Sequence, residues 1–158
     1  GHYIEEMSDC APLDFCVGVA GYPEKHFESP NLKTDIEFLK QKIAAGAEYI
    51  VTQMFFDNDK YFAYVKACRD AGITVPIVPG LKVLRSAEQL RSIPKNFFVD
   101  IPEVLSGEIL SNPKHAPEIG QRWAAKQVEG LLAGKAPCVH FYVMNDSKLV
   151  VDVVKKLL

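Results

Sequence analysis

No apolar run in these 158 residues approaches the roughly 20 that cross a bilayer, and the first ten hold no lysine, no arginine and no signal-peptide core. Membrane spanning and secretion are both disfavoured. A clustered basic stretch is missing too: 18 Lys and Arg against 20 Asp and Glu leave a formal net charge of −2, with the cations scattered singly or in pairs. Nucleic acid, which binds by counterion release at a basic face, is not an expected partner. Cysteine is sparse. Cys10, Cys16, Cys68 and Cys138 form no Cys-x-x-Cys, and three of them lie in apolar stretches where a reduced thiol packs as a small hydrophobe, so a reducing, cytoplasmic setting is expected. No metal site is expected either, since Cys138 and His140 on one strand face are two ligands of the four that zinc needs. The Gly-x-Gly-x-x-Gly dinucleotide fingerprint is also absent; Val17-Gly-Val-Ala-Gly21 is too short and no helix starts on it. Position 1 is not methionine, and Gly1-His2 reads as a tag remnant or a cut end.

What is present is ordinary globular material, 48% hydrophobic and 24% charged, in one domain's worth of chain. A domain of this length buries roughly two-thirds of its unfolded surface and needs no disulfide or metal staple. Its organising signal is a recurring order: β-rich run, polar loop, amphipathic helix, Ala-Gly, β-rich run. Phe15–Ala20 reads as a first strand, followed by a helix whose Leu32, Ile36, Leu39 and Ile43 fall on one face and which stops at Ala45-Gly46. Tyr49–Phe56 reads as a second strand. Asp57-Asn-Asp59 caps a helix with Tyr61, Val65 and Cys68 on its stripe, closed by Ala71-Gly72. A third short strand spans Val75–Gly80, then helices near Ala87–Ile93 and Glu103–Leu110 are separated by Pro94 and Pro102. A long helix over Glu118–Leu132 stops at Ala133-Gly134, a fourth strand covers Cys138–Val143, and a final helix carries Leu149, Val150, Val153, Val154 and Leu157.

Strands linked only through helices form a parallel sheet, so the fold class is α/β. Apolar character on both faces of the strands suits a sheet covered by helices. Two architectures fit: a small doubly wound sheet, or half of an eight-stranded (β/α) barrel. Four strands cut from a barrel expose two apolar edges, which natural domains cover or pair, so a missing partner half is expected.

In either architecture ligands gather at the carboxyl ends of the strands. After the first strand come Tyr22 and His26, with Asp35 and Lys42 seven residues apart on the helix beyond, a rise of about 10 Å. An extended ligand such as a flavin dinucleotide has that length; without a ligand these are a packed tyrosine, a loop histidine and two surface charges. Gln53 interrupts the second strand on the face of Tyr49, Val51 and Phe55. Its amide donates and accepts at once, which suits a pterin or flavin edge, and equally suits neighbouring backbone. Gln89 opens the helix after the third strand, and His140, Tyr142 and Met144 alternate onto one face of the fourth, where Tyr142 either stacks on a flat ring or packs in the core. Lys82, just beyond the third strand, has the chemistry of a Schiff-base lysine or of an ordinary surface cation.

Five segments together resemble the methylenetetrahydrofolate reductase family, bacterial type: Gly18-Val-Ala-Gly-Tyr-Pro-Glu-Lys-His26, Asp35 with Leu39-Lys-Gln-Lys42, Ala45 to Asp57, Ile77-Val-Pro-Gly80, and Val139-His-Phe-Tyr-Val-Met-Asn145. The resemblance implies the C-terminal half, four βα units, of a (β/α)8 TIM barrel, with the N-terminal half-barrel absent from a chain that is one segment over 1–158. It implies an FAD-dependent oxidoreductase that reduces 5,10-methylenetetrahydrofolate to 5-methyltetrahydrofolate with NAD(P)H, serving methionine synthesis, the parent enzyme being a homo-oligomer. By the same resemblance Tyr22, His26, Asp35 and Lys42 hold FAD, and Gln53, Gln89, Tyr142 and Met144 contact folate. The family's acidic catalytic residues have no counterpart here, so no catalytic residue is named. Asp146 stands where some relatives carry a base, and Ile93 where some carry an aromatic.

Overall fold

A computed structural model describes residues 15–144 and 147–157. They run β1 (Gly18–Gly21), α1 (Leu32–Ala44), β2 (Tyr49–Met54), α2 (Asn58–Asp70), β3 (Ile77–Leu81), α3 (Gln89–Phe97), α4 (Glu103–Ser111), a 3-10 turn (Pro113–His115), α5 (Ala116–Ala133), β4 (His140–Phe141) and α6 (Lys148–Leu157). All pairings are parallel and the sheet order is β1-β2-β3-β4. This order decides between the two architectures. A doubly wound sheet reverses its winding at a switch point, whereas right-handed crossovers that always step the same way put every helix on one face, as in a barrel.

That face holds the main core. Ile50, Ile77 and Leu81 pack there against Leu39 of α1, Tyr61 and Cys68 of α2 and Leu131 of α5. The opposite face carries Tyr49, Val51 and Val78, all half-buried, beside an exposed Ala20. Of the two architectures the sequence allowed, this is the arrangement of the half-barrel: among the described residues, one side of the sheet is covered and the other has only partial shelter. A second cluster, including Met54, Phe56, Leu84, Ile93, Leu105 and Ile119, closes the carboxyl end of the sheet under α3, α4 and α5.

Several local expectations shift for identifiable reasons. The two first Ala-Gly stops hold as written, with Gly46 at φ 110° and Gly72 at φ 87°, but at the third stop Lys135 takes the left-handed conformation at φ 64° while Gly134 is at φ −78°. Gly134 is needed for space instead, since a Cβ there would fall 2.3 Å from the Phe62 ring. Pro94 lies inside α3 rather than ending it, and the helix runs on to Phe97 before Phe98 closes it at φ 56°. β2 alternates as far as Met54, with an irregularity in its pairing to β3 between Val51 and Met54, and Phe55, one residue past the strand, turns into the helix-side core and leaves the face of Gln53. Of the cysteines expected to pack, Cys68 is buried, whereas Cys16 and Cys138 are exposed because β1 and β4 begin after them; Cys10 lies outside the described residues.

The Tyr61 hydroxyl donates to the Ile77 carbonyl at 2.7 Å inside the main core, and burial pushes its pKa up to about 12. Tyr61→Phe deletes that bond and leaves a buried acceptor without its donor, so urea unfolding should show a loss of about 1–2 kcal/mol with an unchanged m-value.

Candidate functional site at the carboxyl rim

The loop leaving β1 is organised by Asp35. From the first turn of α1 its carboxylate accepts from the His26 backbone N–H at 3.1 Å and from the Ser29 hydroxyl at 3.1 Å, curling residues 26–29 back over the helix. Lys25 sits at φ 73° and its ammonium donates to the carbonyls of Ser29 (2.7 Å) and His26 (3.1 Å), which tightens the same turn. His26 meets the Tyr22 ring edge-on, centroids 4.6 Å apart. Together Tyr22, His26, Asp35 and Lys42 line one cavity of about 490 Å³, walled also by Phe38 and Gln41. Burial, and then the charge of Asp35, raises the Tyr22 pKa, so its hydroxyl stays a hydrogen-bond donor across the neutral range.

The other four predicted residues are not gathered in one place. Gln89, Tyr142 and Met144 line a second, smaller cavity of about 80 Å³ beside α3 and α6. Gln53 lies instead in a narrow crevice with Tyr22, Glu24 and Phe98, and its side-chain oxygen accepts from the Met54 N–H at 2.9 Å, so backbone satisfies it in part. Gln89 is likewise engaged: its oxygen accepts from the Arg85 N–H at 2.8 Å and pins the turn that opens α3. Tyr142 crosses Gly80, where a Cβ would fall 2.7 Å from the ring, and its hydroxyl donates to the Thr52 carbonyl at 2.9 Å. Burial, then the nearby Tyr22, raises the Tyr142 pKa, so this hydroxyl also stays protonated across the neutral range. Met144 is 79% exposed. Ile93 is buried in the carboxyl-end core and therefore presents nothing to a ligand, and Asp146 lies outside the described residues. Among the described residues, no group of three or more His, Cys, Asp or Glu is placed to hold a metal, and no helix is long and apolar enough to cross a membrane.

Sequence reasoning missed a clasp on the loop that carries Tyr22. Glu24 is largely buried and ion-pairs with Lys60 of α2 at 2.5 Å, while Lys60 also reaches Asp100 at 2.7 Å and the Asp100 N–H donates to Glu24 at 3.1 Å. Phe27 stacks on Phe98 across the same gap, centroids 4.8 Å apart and planes within 13°. These partners are 36 to 76 residues apart in sequence, so no local spacing announces them. Burial pushes the Glu24 carboxyl up, against its bonds to Lys60 and Asp100. For Lys60 burial works against the charge, but the bonds from Asp100 and Glu24 outweigh it and its pKa is raised; the Lys60 bond holds Asp100 low.

Fold and site define a partial (β/α)-barrel protein with its ligand-type residues on the carboxyl rim. The methylenetetrahydrofolate reductase family model matches residues 3–158. The chain belongs to the methylenetetrahydrofolate reductase family. It is 32% identical over 148 residues to a probable methylenetetrahydrofolate reductase (NADPH) of Caenorhabditis elegans, covering 90% of this chain and 22% of that protein. To the 5,10-methylenetetrahydrofolate reductase of Buchnera aphidicola it is 34% identical over 146 residues, covering 89% of this chain and 49% of the relative. The chain thus spans half or less of the relatives it matches. A solved structure described as an uncharacterized protein from Clostridium thermocellum that binds two copies of 5-methyl-5,6,7,8-tetrahydrofolic acid shares the fold, with TM-score 0.61 at 16% identity over 91% of this chain and 54% of that one.

The clasp has a signed pH dependence. Lys60→Met leaves the buried Glu24 carboxylate without its cation at pH 7, costing about 1–3 kcal/mol. The raised Glu24 pKa makes that loss shrink as pH falls and the carboxyl protonates. Asp100, held low by Lys60, contributes above the ordinary carboxylate range and loses its contribution only as pH falls through its depressed pKa. Urea midpoints of wild type and Lys60→Met should therefore differ clearly at pH 7 and much less near pH 4.

Proposed function

We propose that this chain supplies the C-terminal half of a methylenetetrahydrofolate reductase barrel, which reduces 5,10-methylenetetrahydrofolate with NAD(P)H through FAD. One observation carries the reading: four residues matched to the family's flavin positions converge on a single rim cavity although they come from both the β1 loop and α1. The residues fit the group. Tyr22 and His26 offer aromatic and imidazole edges, Lys42 a cation for a phosphate or ribose, and Asp35, its turn already organised, a carboxylate with lone pairs to spare. FAD, when bound, supplies the hydride chemistry.

The chain's own residues position and exclude. Asp35 holds the 26–29 turn so that the His26 ring stays at the cavity edge. The Glu24–Lys60–Asp100 clasp fixes the backbone immediately after Tyr22. On the folate side Gln53, Gln89, Tyr142 and Met144 are the proposed contacts; Gln53 and Gln89 each spend the oxygen on backbone and keep the amide N–H₂ for a ring acceptor. Tyr142 is held against β2 and β3 by its bond to Thr52, which sets the ring's position beside Gln89. The half-sheltered sheet face suits closure by the missing N-terminal half-barrel, consistent with a chain that spans 49% of the bacterial relative.

Co-expressed with the remaining half of the bacterial relative's barrel, the chain should retain flavin absorbance through gel filtration. Lys42→Ala should weaken that retention about tenfold, the scale of one charge-assisted contact; wild-type retention would remove Lys42 from the set, and no flavin in either protein would overturn the FAD reading. The chain by itself should show little or no NADH–menadione turnover, because half the rim is missing; robust turnover would contradict the half-barrel assignment.

A further inference from the structure

Among the described residues that line it, the smaller cavity holds positive charge and no carboxylate. Two of its lining side chains, Lys82 and Arg85, are cationic; the rest, Gln89, Tyr142 and Met144 among them, are neutral. Among the described residues neither cation makes an ion pair, although the structure pairs its other half-buried lysine at the rim, Lys60, twice. Lys82 spends one of its three donors, on the Tyr142 carbonyl at 3.3 Å. Burial, and then the nearby Arg85, depresses its pKa, the mark of like charges held together without a counterion.

The pair stands on rigid backbone. Arg85 N–H is fixed by Gln89, and Leu84 before it lies against α5 so closely that a Cβ on Gly120 would fall 1.9 Å from the Leu84 carbonyl oxygen. The backbone beneath both cations is thus held before a ligand arrives, so only the side chains have to be ordered. Size narrows the ligand further. About 80 Å³ is room for a few water-sized groups, enough for a carboxylate or phosphate.

We propose that Lys82 and Arg85 form an anion subsite at the rim, taking a multiply charged carboxylate or phosphate extension of the ligand that Gln89 and Tyr142 contact. This rests on the folate reading for the ligand's ring but not for the subsite. The two sources of such an anion are a γ-glutamyl tail and a nucleotide phosphate.

The test titrates the chain with tri-γ-glutamate, inorganic pyrophosphate and acetate while following the side-chain nitrogen NMR signals of Lys82 and Arg85. Either multivalent anion should bind about tenfold or more tightly than acetate and weaken as salt is raised. Lys82→Met with Arg85→Gln should abolish the difference, and Lys82→Arg should keep it. A preference for tri-γ-glutamate assigns the subsite to the tail, a preference for pyrophosphate to the nucleotide; both support it. No shift of either signal by either anion at about 10 mM, or undiminished binding in the double variant, overturns it. A parallel titration with 6-methyltetrahydropterin, which lacks any tail, separates the readings, since failure there with success for the anions strikes the folate assignment alone.

Discussion

Thr52 is fully buried in the sheet, and its hydroxyl and its carbonyl are both committed across strands. Its hydroxyl accepts from the Gly80 N–H at 2.9 Å and its carbonyl accepts from the Tyr142 hydroxyl at 2.9 Å. The carboxyl ends of β2 and β3 and the residue just past β4 are thereby joined at one point. Each bond contributes about 1 kcal/mol, and leaving either donor or acceptor unmade in the interior costs more, so the knot is worth most as a constraint on geometry. It works only because Gly80 has no side chain where Tyr142 crosses.

Around that knot the rim divides into two parts held by different forces. On the β1 side, Asp35 and the Glu24–Lys60–Asp100 clasp arrange a loop of polar and aromatic groups by charge-assisted hydrogen bonds. On the β4 side, the carboxyl-end core under α3, α4 and α5 does the same by packing, with Gln89 as the polar link to the Arg85 backbone. Tyr22 on one side and Tyr142 on the other are both buried enough to stay protonated, so each keeps its hydroxyl proton in the neutral range. A site divided in this way keeps its two cavities in register without a single loop having to span them.

Much of this was legible from spacing. Leu32, Ile36, Leu39 and Ile43 form the stripe of α1, Asp57 caps α2 through its bond to the Asp59 N–H, and the glycines at 46 and 72 take the left-handed conformation expected of them. Those signals are local, and local chemistry decides them. Tyr22, His26, Asp35 and Lys42 were also legible as a group, because the loop and helix that carry them are adjacent in sequence. Gln53 and Phe55 were placed on one strand face, but β2 ends at Met54 and Phe55 beyond it turns into the core; where a strand stops depends on its pairing, which leaves no trace in composition. Lys60 looked like any helix-surface lysine, since its meaning lies in two carboxylates 36 and 40 residues away.

The amino-acid order alone determined the alternation of strands and helices, their parallel connection and the positions that carry rim chemistry, because periodicity, caps and turns act over a few residues. The choice of a sequentially wound sheet with helices on one face, the pairing of Lys60 with Glu24 and Asp100, and the meeting of the 82–89 segment with Tyr142 beside one small cavity were decided by tertiary structure. Those depend on which crossovers stack and on charges brought together from distant parts of the chain, and burial gives such charges their strength only once the chain has closed around them.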